Sequence, residues 1–201
     1  MADDFLNHVE IRNVKYEELE QFWNIQQEYL DDWTFTHLQN QFNKYSSLFV
    51  AVFINNVMCG IAYGCEYDEI TITLQGISVL YKYWRHGIGS KLLHFFETKV
   101  NKTKITVGVA SDDAVEKFYL KNDYKPKQFL IRIKSNQLPN DYEQKKLNFH
   151  VINEKYNHIN ETIILYIETL QYDNELKDNI KKNFHSFETI YIMEKTLSSN
   201  I

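Results

Sequence analysis

Apolar positions recur along this chain with two periods. Ile88, Leu92, Phe96 and Val100 fall four apart, with Leu93 beside them, which is the stripe of an amphipathic helix opening near Gly87. Leu19, Phe22, Trp23, Gln26 and Leu30 predict a helix over 17–30, and a second follows over 34–44. Leu176, Ile180 and Phe184 predict another over 174–184. The other period is that of strands. Leu48 to Ile54 is continuously apolar, Asn55-Asn56 interrupts it, and a second run continues to Glu66. Asparagine tolerates the left-handed backbone of a tight turn, so this pair of runs predicts a hairpin. Further strands are expected over 9–13, 69–80, 104–110, 129–134, 147–153, 162–169 and 188–195, with a short helix over 111–122. Strands and helices alternate, so the fold class is α/β.

Composition narrows the function classes. The 201 residues suit one domain, or one with a substantial appendage. With 44% hydrophobic and 15% aromatic residues there is ample material for a core. A net charge of −5 argues against a general nucleic-acid binder, which needs a basic face. The longest apolar run is too short to span a membrane. The first residues show neither a basic segment nor an apolar core of a signal sequence, and a cytoplasmic location is expected. Cys59 and Cys65 lie six apart on one predicted strand, roughly 20 Å from each other and too far for a disulfide. They read as free thiols, and no metal-ligand spacing is present.

The segment from Val79 to Leu93, V-L-Y-K-Y-W-R-H-G-I-G-S-K-L-L, is a strand end, a turn with Gly87 and Gly89, and a helix start. Free backbone N–H groups at a helix start bind phosphate without a side chain, and glycine lets the ligand approach. This makes residues 85–90 a candidate pyrophosphate cradle. A plain strand–turn–helix packing glycine is the competing explanation. The segment is neither a dinucleotide fingerprint, because Leu92 stands where the third glycine belongs, nor a phosphate loop ending in G-K-[ST].

A second motif follows at the right separation: Val115 to Tyr124, V-E-K-F-Y-L-K-N-D-Y. With both, the chain resembles the GNAT superfamily of acyl-CoA-dependent N-acyltransferases. The resemblance covers residues 48–124 and extends to 5–47. Trp84 stands at the usual Gln/Arg position, with Arg85 next; Tyr81 replaces a proline, Asp123 a glycine, and Asp112 an asparagine.

The resemblance implies a mixed, twisted sheet splayed in the middle, with helices on both faces. It implies direct transfer of an acetyl group from acetyl-CoA to a primary amine, borne by a small molecule or a peptide. Cofactor contacts then fall to Ile77, Val79, Arg85, His86, Gly87, Ile88, Gly89, Ser90 and Asp112, with Lys82, Lys91 and Lys121 as further cations near phosphate. Tyr119 aligns with the proton donor to the leaving thiolate; alternatively it is a buried helix aromatic. Gly76 marks either a bulge or a close packing contact. Some members carry a glutamate in the middle of this strand, where Thr73 stands here. Glu66, Asp68 and Glu69 are the remaining candidates for a base, or they form a solvated turn. Glu17, Glu18, Glu20, Glu28, Asp31 and Asp32, with Trp23 and Trp33, would suit a cationic amine, or belong to a solvated helix face.

An acyl-CoA-binding core is expected in 1–134, with 135–201 packed on it as either an insertion at 136–187 before a final strand or an α/β appendage after a closed core. The apolar content of the extension requires a partner surface, either the core sheet or a second copy in a homodimer. A CoA-binding sensor without turnover is the alternative function.

Overall fold

The computed structural model describes residues 8–30 and 33–197; Asp31 and Asp32, named above, lie outside the described residues. The chain forms two compact units. The first runs to Ile105 and takes in the residues from Thr196 onward; the second is Thr106–Lys195.

In the first unit, β1 (Val9–Asn13), β2 (Phe49–Ile54), β3 (Val57–Glu66) and β4 (Thr71–Val79) form an antiparallel meander in chain order. Asn55 and Asn56, with φ of 51° and 64°, make the predicted hairpin turn between β2 and β3. Every residue of β2 is buried, so both faces of the sheet are covered. One face receives α1 (Leu19–Tyr29) and α2 (Phe35–Tyr45). There Phe22, Phe42 and Tyr63 surround Phe49 with ring centroids 5.4–5.7 Å away. Thr34 caps α2 by accepting the His37 N–H at 3.2 Å. Against β2 and β3 also packs α3 (Ile88–Glu97), whose Ile88, Leu92, Leu93 and Phe96 are all buried as expected, while Val100, the last position of the stripe, lies beyond the helix and is half-buried.

The second unit is built around β6 (Lys125–Lys134), which pairs antiparallel with β8 (Thr162–Glu168) on one side and β9 (Glu188–Thr196) on the other. Its strand order is β5-β9-β6-β8-β7, where β5 is Lys104–Val109 and β7 is Val151–Asn157. The unit boundaries fall inside β5 and β9. Helix α4 (Asp113–Lys121) precedes β6, and α5 (Tyr142–Leu147) and α6 (Asn174–Phe184) complete the unit. The α/β class is as expected.

One expected element is wrong in place. The strand predicted over 147–153 is the end of α5, a turn over 148–150 and the start of β7, whose seven residues run from Val151 to Asn157. Leu147, Phe149 and Val151 alternate like a strand, but Lys145–Asp141 and Lys146–Glu143 pairs one turn apart favour a helix before them. Leu147 is 86% exposed, so its apolar character reports no core position.

Candidate functional site

The end of β4 sets the geometry of the site in the first unit. Gly60 lies opposite Val79, while the Leu80 N–H donates to the Cys59 carbonyl at 2.8 Å. That pattern makes Gly60–Val79 a non-hydrogen-bonded pair of the antiparallel ladder. The N–H and C=O of Val79, and by the two-residue period those of Ile77, therefore point away from β3.

A bulge prepares this strand end. Tyr63 pairs with Gly76 and Gly64 with Leu74, leaving Gln75 as one extra residue in β4. A Cβ on Gly76 would lie 2.7 Å from the Tyr63 ring and 2.9 Å from Leu30. Both sequence readings of Gly76 thus hold: it adjoins a bulge and it is a close packing contact.

Beyond Val79 the chain makes a 3₁₀ turn, Tyr81–Tyr83, pinned by Tyr83 N–H to Leu80 C=O at 2.9 Å and Trp84 N–H to Tyr81 C=O at 3.0 Å. Tyr83 is buried under it, while Tyr81 and Trp84 are exposed, their rings 5.0 Å apart. The Trp84 indole N–H folds back and donates to the Val79 carbonyl.

Arg85 takes a φ of 64° and Gly87 one of 74°, so the loop crosses twice into the left-handed region before α3 begins. Nothing lies within 4 Å of where a Gly87 Cβ would be. Gly87 is therefore kept for its dihedral, and the packing explanation fails at this position. The first helical hydrogen bond shown at this end is Lys91 N–H to Gly87 C=O at 3.1 Å. The amides of Ile88, Gly89 and Ser90 precede it, and no side chain caps them. Arg85, His86 and Lys91 are exposed around this helix start. Open amides, a positive dipole end and cations together suit a phosphate group.

Glu66, Asp68 and Glu69 occupy the turn at the opposite end of β4. Six residues separate Thr71 from Ile77, so these carboxylates stand on the order of 20 Å along the strand from Ile77. Glu66 is 3.8 Å from Lys102, and Asp68 accepts the Ile70 N–H at 2.9 Å. That hydrogen bond holds the Asp68 carboxyl below its ordinary range. The structure does not bring these three to the strand end.

The same unit holds two residues that the sequence reading passed over as chemistry. Gln26 is fully buried on α1, its Nε2 donating to Tyr63 Oη at 3.1 Å and its Oε1 unpartnered. Gln75 Oε1, at the bulge, is likewise buried without a partner. The one signal was Gln26 standing in an otherwise apolar stripe.

In the second unit, Tyr119 sits on α4 with 4% of its surface exposed, edge-on to Phe118 and Tyr124. Burial pushes its phenol well above the ordinary range, so it is fully protonated at neutral pH. Asp112 caps α4, accepting the Ala114 N–H at 2.8 Å and the Val115 N–H at 3.1 Å. Asp123 adopts a φ of 67°, which explains why glycine is the usual residue there. Among the described residues there is no His/Cys/Asp/Glu group arranged to hold a metal, and no helix is long and apolar enough to cross a membrane.

Comparison with known proteins places this geometry. Residues 44–126 match the family model described as an acetyltransferase (GNAT) domain. Among the curated proteins none matches the chain. Several solved structures share the fold. A putative acetyltransferase from Pyrococcus horikoshii is 11% identical with a TM-score of 0.57, covering 98% of this chain and 92% of that one. Arabidopsis thaliana Naa50, in complex with the bisubstrate analogue CoA-Ac-MVNAL, is 16% identical with a TM-score of 0.52 over 94% and 99% of the two chains. The diaminobutyrate acetyltransferase EctA from Paenibacillus lautus, with L-2,4-diaminobutyric acid and coenzyme A, is 12% identical with a TM-score of 0.55 over 83% and 98%.

Proposed function

With residues 44–126 of this chain belonging to the GNAT acetyltransferase domain family, we propose that the protein is an N-acetyltransferase that moves an acetyl group from acetyl-CoA directly to a primary amine. The observation that carries the reading is the uncapped start of α3, with Gly87 at a φ of 74°, directly following a strand end whose Ile77 and Val79 backbone groups face away from β3. The amides of Ile88, Gly89 and Ser90 receive the pyrophosphate, with Arg85 and His86 beside it. The pantetheine arm hydrogen-bonds to Ile77 and Val79 as an added strand would. An N–H in that row polarises the thioester carbonyl as charge develops on its oxygen.

Tyr119 is assigned the proton that the leaving thiolate takes up. Its place in the Phe118-Tyr119 motif supports that role, and the phenol is protonated at neutral pH. The amine attacks as the neutral species, and its proton leaves through water. Glu66, Asp68 and Glu69 are not assigned the base, because they lie at the far end of β4. Asp112 acts through the capping of α4. Two proteins of this fold were solved with the bisubstrate analogue CoA-Ac-MVNAL and with L-2,4-diaminobutyric acid, so both small-molecule and peptide amines belong in the test.

The distance of Glu66, Asp68 and Glu69 from Ile77 favours one second reading, a CoA-binding sensor without turnover. A thiol-release assay with acetyl-CoA decides between them, run against polyamines, amino acids, aminoglycosides and peptides. Amine-dependent thiol release supports the transferase. Tight CoA binding with no release on any amine supports the sensor.

A further inference from the structure

We propose that Trp84 gates the cofactor path, its indole N–H holding the Val79 carbonyl in the free protein until the pantetheine arm displaces it. The inference rests on the reading above, in which the end of β4 holds that arm. Three observations carry it.

The Val79 carbonyl points away from β3, because Gly60–Val79 is a non-hydrogen-bonded pair. It is thus an acceptor for a donor approaching from the side away from β3. The Trp84 indole N–H is such a donor and already occupies it. An amide N–H of an extended ligand running along β4 needs the same acceptor from the same side, where the indole ring stands.

The backbone of the turn is held by its own hydrogen bonds, whereas the side chain of Trp84 is half-exposed. Leu80, Tyr83 and Trp84 all donate their N–H groups within the turn or to β3, at 2.8–3.0 Å, and Tyr83 is buried beneath. Trp84 itself is 50% exposed and Tyr81, its ring partner, 73% exposed. Release therefore needs rotation about two side-chain bonds and no refolding of the loop.

The residue type matters as well. Tryptophan carries a single N–H donor and no acceptor. It can close on a carbonyl, but it offers no charge to phosphate. At this position it holds the strand end in a self-satisfied state without imitating the ligand's charge.

Trp84→Phe removes the donor and keeps the ring against Tyr81. One hydrogen bond of this kind corresponds to roughly a three- to tenfold change in an equilibrium. The variant is therefore expected to bind CoA three- to tenfold more tightly than the wild type by calorimetry. Its affinity for 3′,5′-adenosine diphosphate, which carries the nucleotide end of CoA through the first bridging phosphate and has no pantetheine arm, should not change. In the ¹⁵N spectrum of the wild type, the Trp84 indole resonance, assigned by its loss in the variant, should shift and exchange faster on saturation with CoA. The resonance of Trp23, whose indole donates to the Trp33 carbonyl at 2.9 Å, should stay in place.

A Trp84 signal unmoved at saturating CoA overturns the gate. So does a variant that binds CoA equally or more weakly, or one that gains equally for the diphosphate. Failure of both proteins to bind CoA overturns the transferase reading and the gate together, whereas CoA binding without these differences overturns the gate alone.

Discussion

The carboxylate of Glu116 on α4 is fully buried and is held by the ammonium of Lys177 on α6, 61 residues further along the chain. Its second oxygen accepts the Tyr172 hydroxyl at 2.8 Å. Lys177 also lies over the Tyr191 ring at 5.3 Å, and Tyr191 stacks on Tyr172. One charge pair thus ties α4, the helix that carries Tyr119, to α6.

Breaking this pair from one side leaves a buried charge alone. Glu116→Gln or Lys177→Met is expected to cost about 3–5 kcal/mol, and the double variant much less than the sum. Denaturant melts of the two single variants and the double variant test this. Additive losses would show that the two groups do not act as a pair.

Gly87→Val forces a branched side chain to a φ of 74° at the mouth of α3. Backbone strain of this kind is worth about 1–3 kcal/mol. CoA affinity should fall tenfold or more, which is about 1.4 kcal/mol. Calorimetric titration of the folded variant measures it, and unchanged affinity would remove the phosphate cradle from residues 85–90.

Tyr119→Phe should leave CoA binding nearly intact and slow acetyl transfer by roughly 10² to 10⁴, the usual worth of one positioned proton donor. Binding and turnover measured on the same preparation separate the two effects. Full turnover in the variant would return Tyr119 to the role of a packed aromatic.

Asp123 holds a φ of 67° with a side chain that disfavours it. Asp123→Gly relieves that cost but loosens the unfolded chain, so the net gain should be about 0.5–1 kcal/mol. A higher melting temperature is the expected outcome, and a lower one would mean that the aspartate makes a compensating contact.

Burial raises the phenols of Tyr119, Tyr142 and Tyr191 above their ordinary value of about 10. Their contribution to stability is fully present below that value. As pH rises past it, the unfolded chain ionises first and folding loses ground, by about 1.4 kcal/mol per pH unit for Tyr119. Thermal melts from pH 8 to 11 should show stability constant at first and then falling. The ultraviolet signal of tyrosinate from these three should appear only with unfolding.

How far the chain could be read in advance depended on where periodicity and burial agree. The spacing of Ile88, Leu92 and Phe96 determined α3 because every one of those positions is buried. Asn55-Asn56 located its hairpin because the turn chemistry is local. Leu147 misled because an exposed leucine at a helix end completes a false alternation with Phe149 and Val151. Glu116 and Lys177 gave no warning of burial, since each compensates a partner 61 residues away. Trp84 was visible as an odd residue, but its bond to Val79 depends on a side-chain rotation that no spacing encodes.

The placement of β9 has a consequence for how the molecule is made. Strand β6 takes one neighbour, β8, from residues 162–168 and the other, β9, from residues 188–196. During synthesis, β6 emerges with neither edge satisfied and waits for more than fifty residues before its second partner exists. At about 5–20 residues per second, that interval lasts several seconds. Through it, a strand bearing Phe129, Ile131 and Ile133, all fully buried in the finished protein, stands with at least one open edge on the ribosome. The yield of folded protein should therefore respond to translation speed and to chaperone supply, even where the equilibrium stability of the completed chain does not change.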